Sequence, residues 1–194
     1  MADRCRFYRL AGALALTTGT ACSPGAQAAA PEVLPACVAQ GTAENPLATR
    51  SSPLDSVTFA TSGRTAKICY SRPSARGRMV MDSLVPYGRS WRTGANEPTT
   101  LYLPVAAEIG GAKLAAGRYY ITTIPTAGDW TILFNTSNAA DPAQILQSLV
   151  EVARGSGRSE RVATLIERFT IRPERQELIL EWERTRVRIP VRPN

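Results

Sequence analysis

Between Tyr119 and Asn135 the chain runs Tyr119-Tyr120-Ile121-Thr122-Thr123-Ile124, breaks at Pro125, and resumes as Asp129-Trp130-Thr131-Ile132-Leu133-Phe134-Asn135. β-Branched and aromatic residues suit the pleated, half-buried surface of a strand, and proline cannot donate to a ladder. The short interval leaves room for a turn and little else, so the two runs read as antiparallel neighbours. The pattern recurs along the chain. Residues 56–60 and 65–70 flank the turn Thr61-Ser62-Gly63-Arg64 as a hairpin, residues 99–105 form a further strand, and Gly110-Gly111 turns between residues 106–109 and Lys113-Leu114. Toward the C-terminus, strands are expected at 162–165, 169–172, 177–183 and 184–191. In Leu178-Ile179-Leu180-Glu181-Trp182 and Val187-Arg188-Ile189-Pro190-Val191 the alternation turns one face inward and sets Arg186, Arg188 and Arg192 on the solvent face. So many short strands at such spacing define an all-β fold, an antiparallel β-sandwich or a jelly-roll-like barrel.

One segment departs from the period of two. Asp141 can cap, Pro142 suits a first helical position, and Ile145, Leu146, Leu149 and Val150 recur at helical spacing. A short helix is expected over residues 141–154, ended by Gly155-Ser156-Gly157.

The N-terminus reads as an address. Arg4, Arg6 and Arg9 precede a short apolar run, the shape of a secretory signal and too short to span a bilayer. Two exits fit. Gly19-Thr20-Ala21-Cys22 resembles a lipobox, with Cys22 as the lipidated residue and Gly19 where leucine is usual; Ala26-Gln27-Ala28 fits cleavage near residue 28. The expected organisation is a signal at 1–21, a tether and irregular lead-in at 22–52, and a single β-domain at 53–194. The protein is then exported, either lipid-anchored to the bacterial envelope or soluble in the periplasm, with membrane contact only through the anchor. Of four cysteines, Cys5 leaves with the signal and Cys22 is lipidated or removed. Cys37 and Cys69 remain in an oxidising compartment and read as one disulfide, worth on the order of 3 kcal/mol.

The chain of 194 residues has no histidine, which removes the usual general base near neutral pH and the commonest transition-metal ligand. A Ser-His-Asp site is impossible within it, no carboxylate cluster suggests a metal, and no cofactor is expected. The formal charge is +7, and among 23 basic side chains only Lys67 and Lys113 are lysines. Arginine forks onto carboxylate and phosphate oxygens. Nucleic acid is not an expected partner, because the compartment is wrong and the basic residues follow no known motif.

Much of the charge lies between Lys67 and Glu97, where Lys67, Arg72, Arg76, Arg78, Arg89 and Arg92 face only Asp82 and Glu97. Pro73 drives Arg72 out of helix, and Pro86-Tyr87-Gly88 turns, so the stretch is an irregular crossing. Two readings fit it. In the first it is a basic, aromatic-edged site for an anionic or glycan small ligand. There Arg72, Arg76 and Arg92 fork onto oxygens, Trp91 and Tyr87 give flat surface, and Ser74, Asn96 and Glu97 complete the polar set. In the second it is architecture, with Arg92–Glu97 and Arg76–Asp82 as ion pairs, Trp91 as a core plug, and polar side chains satisfying exposed backbone.

Cys69-Tyr70-Ser71-Arg72-Pro73-Ser74-Ala75-Arg76-Gly77-Arg78, Leu84-Val85-Pro86-Tyr87-Gly88 and Trp91-Arg92-Thr93-Gly94-Ala95-Asn96-Glu97 resemble the bacterial family called domain of unknown function 2911. The resemblance continues through Gly110-Gly111, Ala116-Gly117-Arg118-Tyr119, Trp130-Thr131-Ile132, Phe134-Asn135, Glu167-Arg168-Phe169-Thr170-Ile171 and Leu180-Glu181-Trp182-Glu183, covering roughly residues 53–191. It implies a secreted or lipid-anchored β-rich domain and no particular activity. The family often carries Trp-Gly after the position of Asn135, where this chain has Thr136-Ser137-Asn138. Three functions follow as expectations: a non-catalytic ligand-binding module, a structural lipoprotein with an envelope protein partner, or a histidine-free glycan-active enzyme. The last needs two carboxylates facing a cleft, and Glu97 with Asp82 is the pair to nominate.

Overall fold

The computed structural model describes residues 33–39 and 46–193. The leader, Cys22 and the Ala26-Gln27-Ala28 site lie outside the described residues. Among the described residues nine strands form one antiparallel sheet: β1 Leu54–Thr61, β2 Arg64–Ser71, β3 Thr99–Leu103, β4 Ala107–Ile109, β5 Ala112–Leu114, β6 Gly117–Ile124, β7 Trp130–Thr136, β8 Val150–Glu174 and β9 Glu177–Pro193. Their order is β1-β2-β3-β6-β7-β8-β9-β4-β5. The fold is all-β, as expected, with the sheet open and wrapped over one core in the manner of a sandwich.

The wrapping comes from the two long strands. The first part of β8 pairs with β7, from Val150 opposite Thr136 to Gly157 opposite Trp130; the rest pairs with β9. Register shifts between Arg161 and Ile166 and between Ile166 and Thr170 let β8 bend between these partners. The two hairpins read in the sequence form: Ala60 faces Thr65 across the first, and Ile109 faces Ala112 across the second. Inward residues interdigitate as one core in which Ile68, Leu101, Ile109, Ile132, Phe134 and Phe169 are all but fully buried.

The expected helix is shorter and tighter than its spacing suggested. A 3-10 helix spans Pro142–Gln147, capped by Asp141, whose side chain accepts from the Ala143 N–H at 2.9 Å. Beyond it, Val150 to Arg154 join β8, because pairing with β7 satisfies their backbone and suits their β-branched residues. Gly155-Ser156-Gly157 is therefore not a helix stop. It lies inside β8, and a Cβ at Gly155 would stand 2.8 Å from the Ile109 carbonyl oxygen. The missing side chain lets the β4–β5 turn approach, with Ser156 N–H donating to Gly110 O at 2.8 Å. Likewise, the expected pairs of strands at 162–172 and 177–191 are single continuous strands. Among the described residues, no helix is long and apolar enough to cross a membrane.

The bond between Cys37 and Cys69 is formed, with Cα atoms 5.6 Å apart. It holds the described lead-in segment against β2, where Lys67 Nζ also donates to Pro35 O at 2.9 Å.

A shallow arginine–tryptophan cavity

The crossing between β2 and β3 is tied at both ends to strands it does not follow in sequence. Arg72 N–H donates to Pro53 O, and its side chain bonds Phe169 O at 3.1 Å, Thr170 Oγ1 at 2.8 Å and Asp55 Oδ2 at 3.2 Å. One guanidinium thus staples β1 to β8. Ser74 bridges to Arg168, and Ala75 N–H donates to Glu167 O. At Arg76 the backbone takes φ 53° and its N–H donates to Glu167 Oε1 at 2.8 Å, leaving the side chain exposed. Arg78 folds back so that Nε and Nη2 cap the carbonyls of Ala75 and Ser74, each at 2.9 Å.

Trp91 re-enters the fold as an added rung beside β6, exchanging two backbone bonds with Thr123 at 2.7 and 2.8 Å. Its ring stacks on Trp182, with centroids 5.7 Å apart and planes 20° from parallel, and meets the edges of Phe169 and Trp130. Such contacts add about 0.5–1.5 kcal/mol each beyond area burial. Trp182 is buried, whereas Trp91 is only partly so.

The loop that follows is tight. Thr93 and Asn96 adopt left-handed φ values of 58° and 54°. At Gly94 a Cβ would lie 3.0 Å from Ser71 O, so glycine allows the loop to press onto the end of β2. Thr99 Oγ1 donates to Thr93 O at 2.7 Å, Arg92 Nη1 to Asn96 O at 3.0 Å, and Asn96 Nδ2 to Ser52 O at 3.1 Å. Glu97 does not pair with Arg92. It turns inward to Arg50 of the lead-in, a bond in which both side chains are almost wholly buried, and accepts from Ser71 Oγ at 2.7 Å. Nor is Arg76 paired with Asp82 among the described residues.

Three of the eight residues read as a site line one shallow cavity of about 310 Å³: Trp91, Arg92 and Asn96. Arg78, Leu84 and Trp182 complete its rim and floor. Tyr87 faces a different cavity of about 420 Å³ with Asp82, Glu160 and Glu183, and Glu97 borders a third. Asp82 and Glu97 therefore do not share a cavity. Arg72 is spent on its staple, while Ser74 touches the site only through the carbonyl that Arg78 caps. Sequence reasoning missed Trp182 and Arg78 as site residues. Trp182 stands out in its Leu-Glu-Trp-Glu run, yet nothing local shows that β9 returns it beneath Trp91. Among the described residues, no group of three or more acidic or cysteine side chains is placed to hold a metal ion.

Fold and cavity together define an all-β antiparallel domain that carries a small basic cleft with a tryptophan floor. The chain belongs to the family described as Protein of unknown function (DUF2911), whose model matches residues 52–191. Neither the curated proteins nor the solved structures give a match.

Proposed function

We propose that the protein is an exported, non-catalytic binding module of the bacterial envelope that takes a small anionic or glycan ligand at the Trp91–Arg92 cavity. One observation carries this reading. Arg78 and Arg92 stand exposed beside the partly open face of Trp91, and among the described residues no carboxylate pairs with either. An indole face accepts a sugar ring or a flat apolar body, and two guanidiniums supply forked donors for carboxylate or phosphate oxygens. The disulfide and the leader favour an oxidising compartment, with Cys22 as the anchor or the free form released near residue 28. A second reading, docking onto another envelope protein, draws support from Val150 and Val152, which are 62% and 51% exposed on β8.

A thermal-shift panel of phosphates, uronic acids, peptidoglycan fragments and lipid head groups tests the first reading. A ligand that binds only the folded state raises the midpoint with dose. The rise is expected to vanish in Arg92→Ala while the ligand-free midpoint stays in place. A flat panel would sink the reading and turn attention to protein partners.

A further inference from the structure

The outer face of β3 and β6 should be wet in an antiparallel sheet whose inner face packs on the core. Leu101, Leu103 and Ile121 do face inward, and the alternate positions carry Tyr102, Arg118 and Tyr120. Yet Tyr120 is only 4% exposed on that outer side. Two covers account for it. The segment around Cys37 passes over Tyr102, and the 3-10 helix brings Ile145 down from the other side. Among the described residues the covers do not meet. Between them lies a cavity of about 270 Å³, slightly smaller than ordinary small-molecule sites.

Its polar groups point to one chemistry. Arg118 sits with its guanidinium 5.5 Å from the centre of the Tyr120 ring. Among the described residues no carboxylate pairs with Arg118, and neither the Tyr102 nor the Tyr120 hydroxyl has a hydrogen-bond partner. Glu97 borders the cavity, but its carboxylate is neutralised by Arg50. Burial pushes the Tyr102 phenol above its ordinary value, outweighing the opposite pull of Arg118, so it is a hydroxyl donor at neutral pH. The walls, Val38, Ala140 and Ile145 among them, are apolar.

We infer a second small-molecule site on the outer face of the sheet, between the disulfide-held segment and the 3-10 helix, that takes an organic anion with an apolar or aromatic body. Arg118 holds the anionic head, the two tyrosine hydroxyls donate to it, and the body lies against Val38 and Ile145. The site shares no lining residue with the Trp91–Arg92 cavity.

Anilinonaphthalene sulfonate, an aromatic anion whose emission rises in apolar surroundings, is the probe. Titrated into the purified, oxidised protein, it is expected to saturate. Its affinity should fall at least about tenfold in Arg118→Glu, equivalent to about 1.4 kcal/mol, and similarly in Ala140→Trp, which fills the cavity. Both residues are exposed, so thermal midpoints should be unchanged and the loss not one of folding. Arg92→Ala should leave the titration as it was, which separates this site from the other. The inference is overturned by an emission that never saturates, by an affinity that survives Arg118→Glu and Ala140→Trp, or by one that Arg92→Ala also removes.

Discussion

Two groups of arginines on the same domain have opposite surroundings. On the outer face of β8 and β9, Arg172, Arg186 and Arg188 are threaded through Glu160, Glu174, Glu177 and Glu181, each guanidinium touching at least two carboxylates. At the Trp91 cavity, Arg78 and Arg92 touch only backbone carbonyls. Both groups lie in arginine-rich sequence and have the same intrinsic chemistry. What differs is the carboxylates within reach: Arg186 faces Glu160 across the strands and Arg188 reaches Glu160, Glu174 and Glu177, whereas at the crossing no carboxylate pairs with Arg78 or Arg92 among the described residues. The first group sets three arginines against four glutamates and ties β8 to β9; the second leaves positive charge at a concave, aromatic surface. A count of arginines does not separate scaffolding from site, but the tally of carboxylates within reach does.

The largest expected effect comes from a third case, the buried pair. Arg50→Ala removes a buried guanidinium from the equally buried Glu97 carboxylate, and denaturant unfolding should show a loss of about 3–5 kcal/mol. A loss near zero would mean that Glu97 escapes to solvent, and the buried pair would cease to be a third class. Replacing Cys37 and Cys69 together by serine comes next, at about 3 kcal/mol, read in the same way against the oxidised wild type.

The ladder should be weaker and sensitive to acid. Hydrogen bonds from Arg172 and then Arg188 hold the Glu174 carboxyl below its ordinary value. Burial alone would raise Glu181, but bonds from Arg172 and Arg186 outweigh it and hold this carboxyl low as well. A depressed folded value means that the stabilisation is complete above the unfolded carboxylate range. It is lost as pH falls through the lowered folded values. Thermal midpoints should therefore drop on the acid side, and Glu181→Gln should flatten that limb while costing about 2 kcal/mol at neutral pH. An acid limb identical in wild type and variant would strip the ladder of its electrostatic role. The smallest effect on stability belongs to Arg92→Ala and Arg78→Ala, within about 0.5 kcal/mol, since neither breaks an ion pair among the described residues. If either unfolds the domain, the contrast between the two arginine groups collapses.

The strands were legible in the sequence wherever the period of two coincided with a turn, as at Thr61-Ser62-Gly63-Arg64 and Gly110-Gly111. The helix was legible at its cap and wrong at its far end, because the spacing of Leu149 and Val150 suits a helix until β7 offers a ladder. Gly155 misled for a related reason: a glycine that admits a neighbouring backbone looks like one that makes a turn. In the cavity, Trp91, Arg92 and Asn96 were found because they are close in sequence, and Trp182 was missed because only the return of β9 brings it there. Tyr87 and Glu97 were close in sequence too, and a few left-handed residues turn them to different faces.

The bond at Cys69 has a consequence for maturation. The half-cystine sits mid-strand in β2, opposite Thr100 and on the outer face, while its neighbour Ile68 is already sealed in the core. Oxidation therefore adds nothing to the inner packing; it closes a cover. A newly made chain that has not met an oxidant is expected to be a folded β-domain with one face uncovered and the Cys69 thiol, like that of Cys37, open to alkylation. The moment that thiol becomes unreactive is the moment the outer face is finished, so a simple labelling time course would date the last step of the protein's assembly.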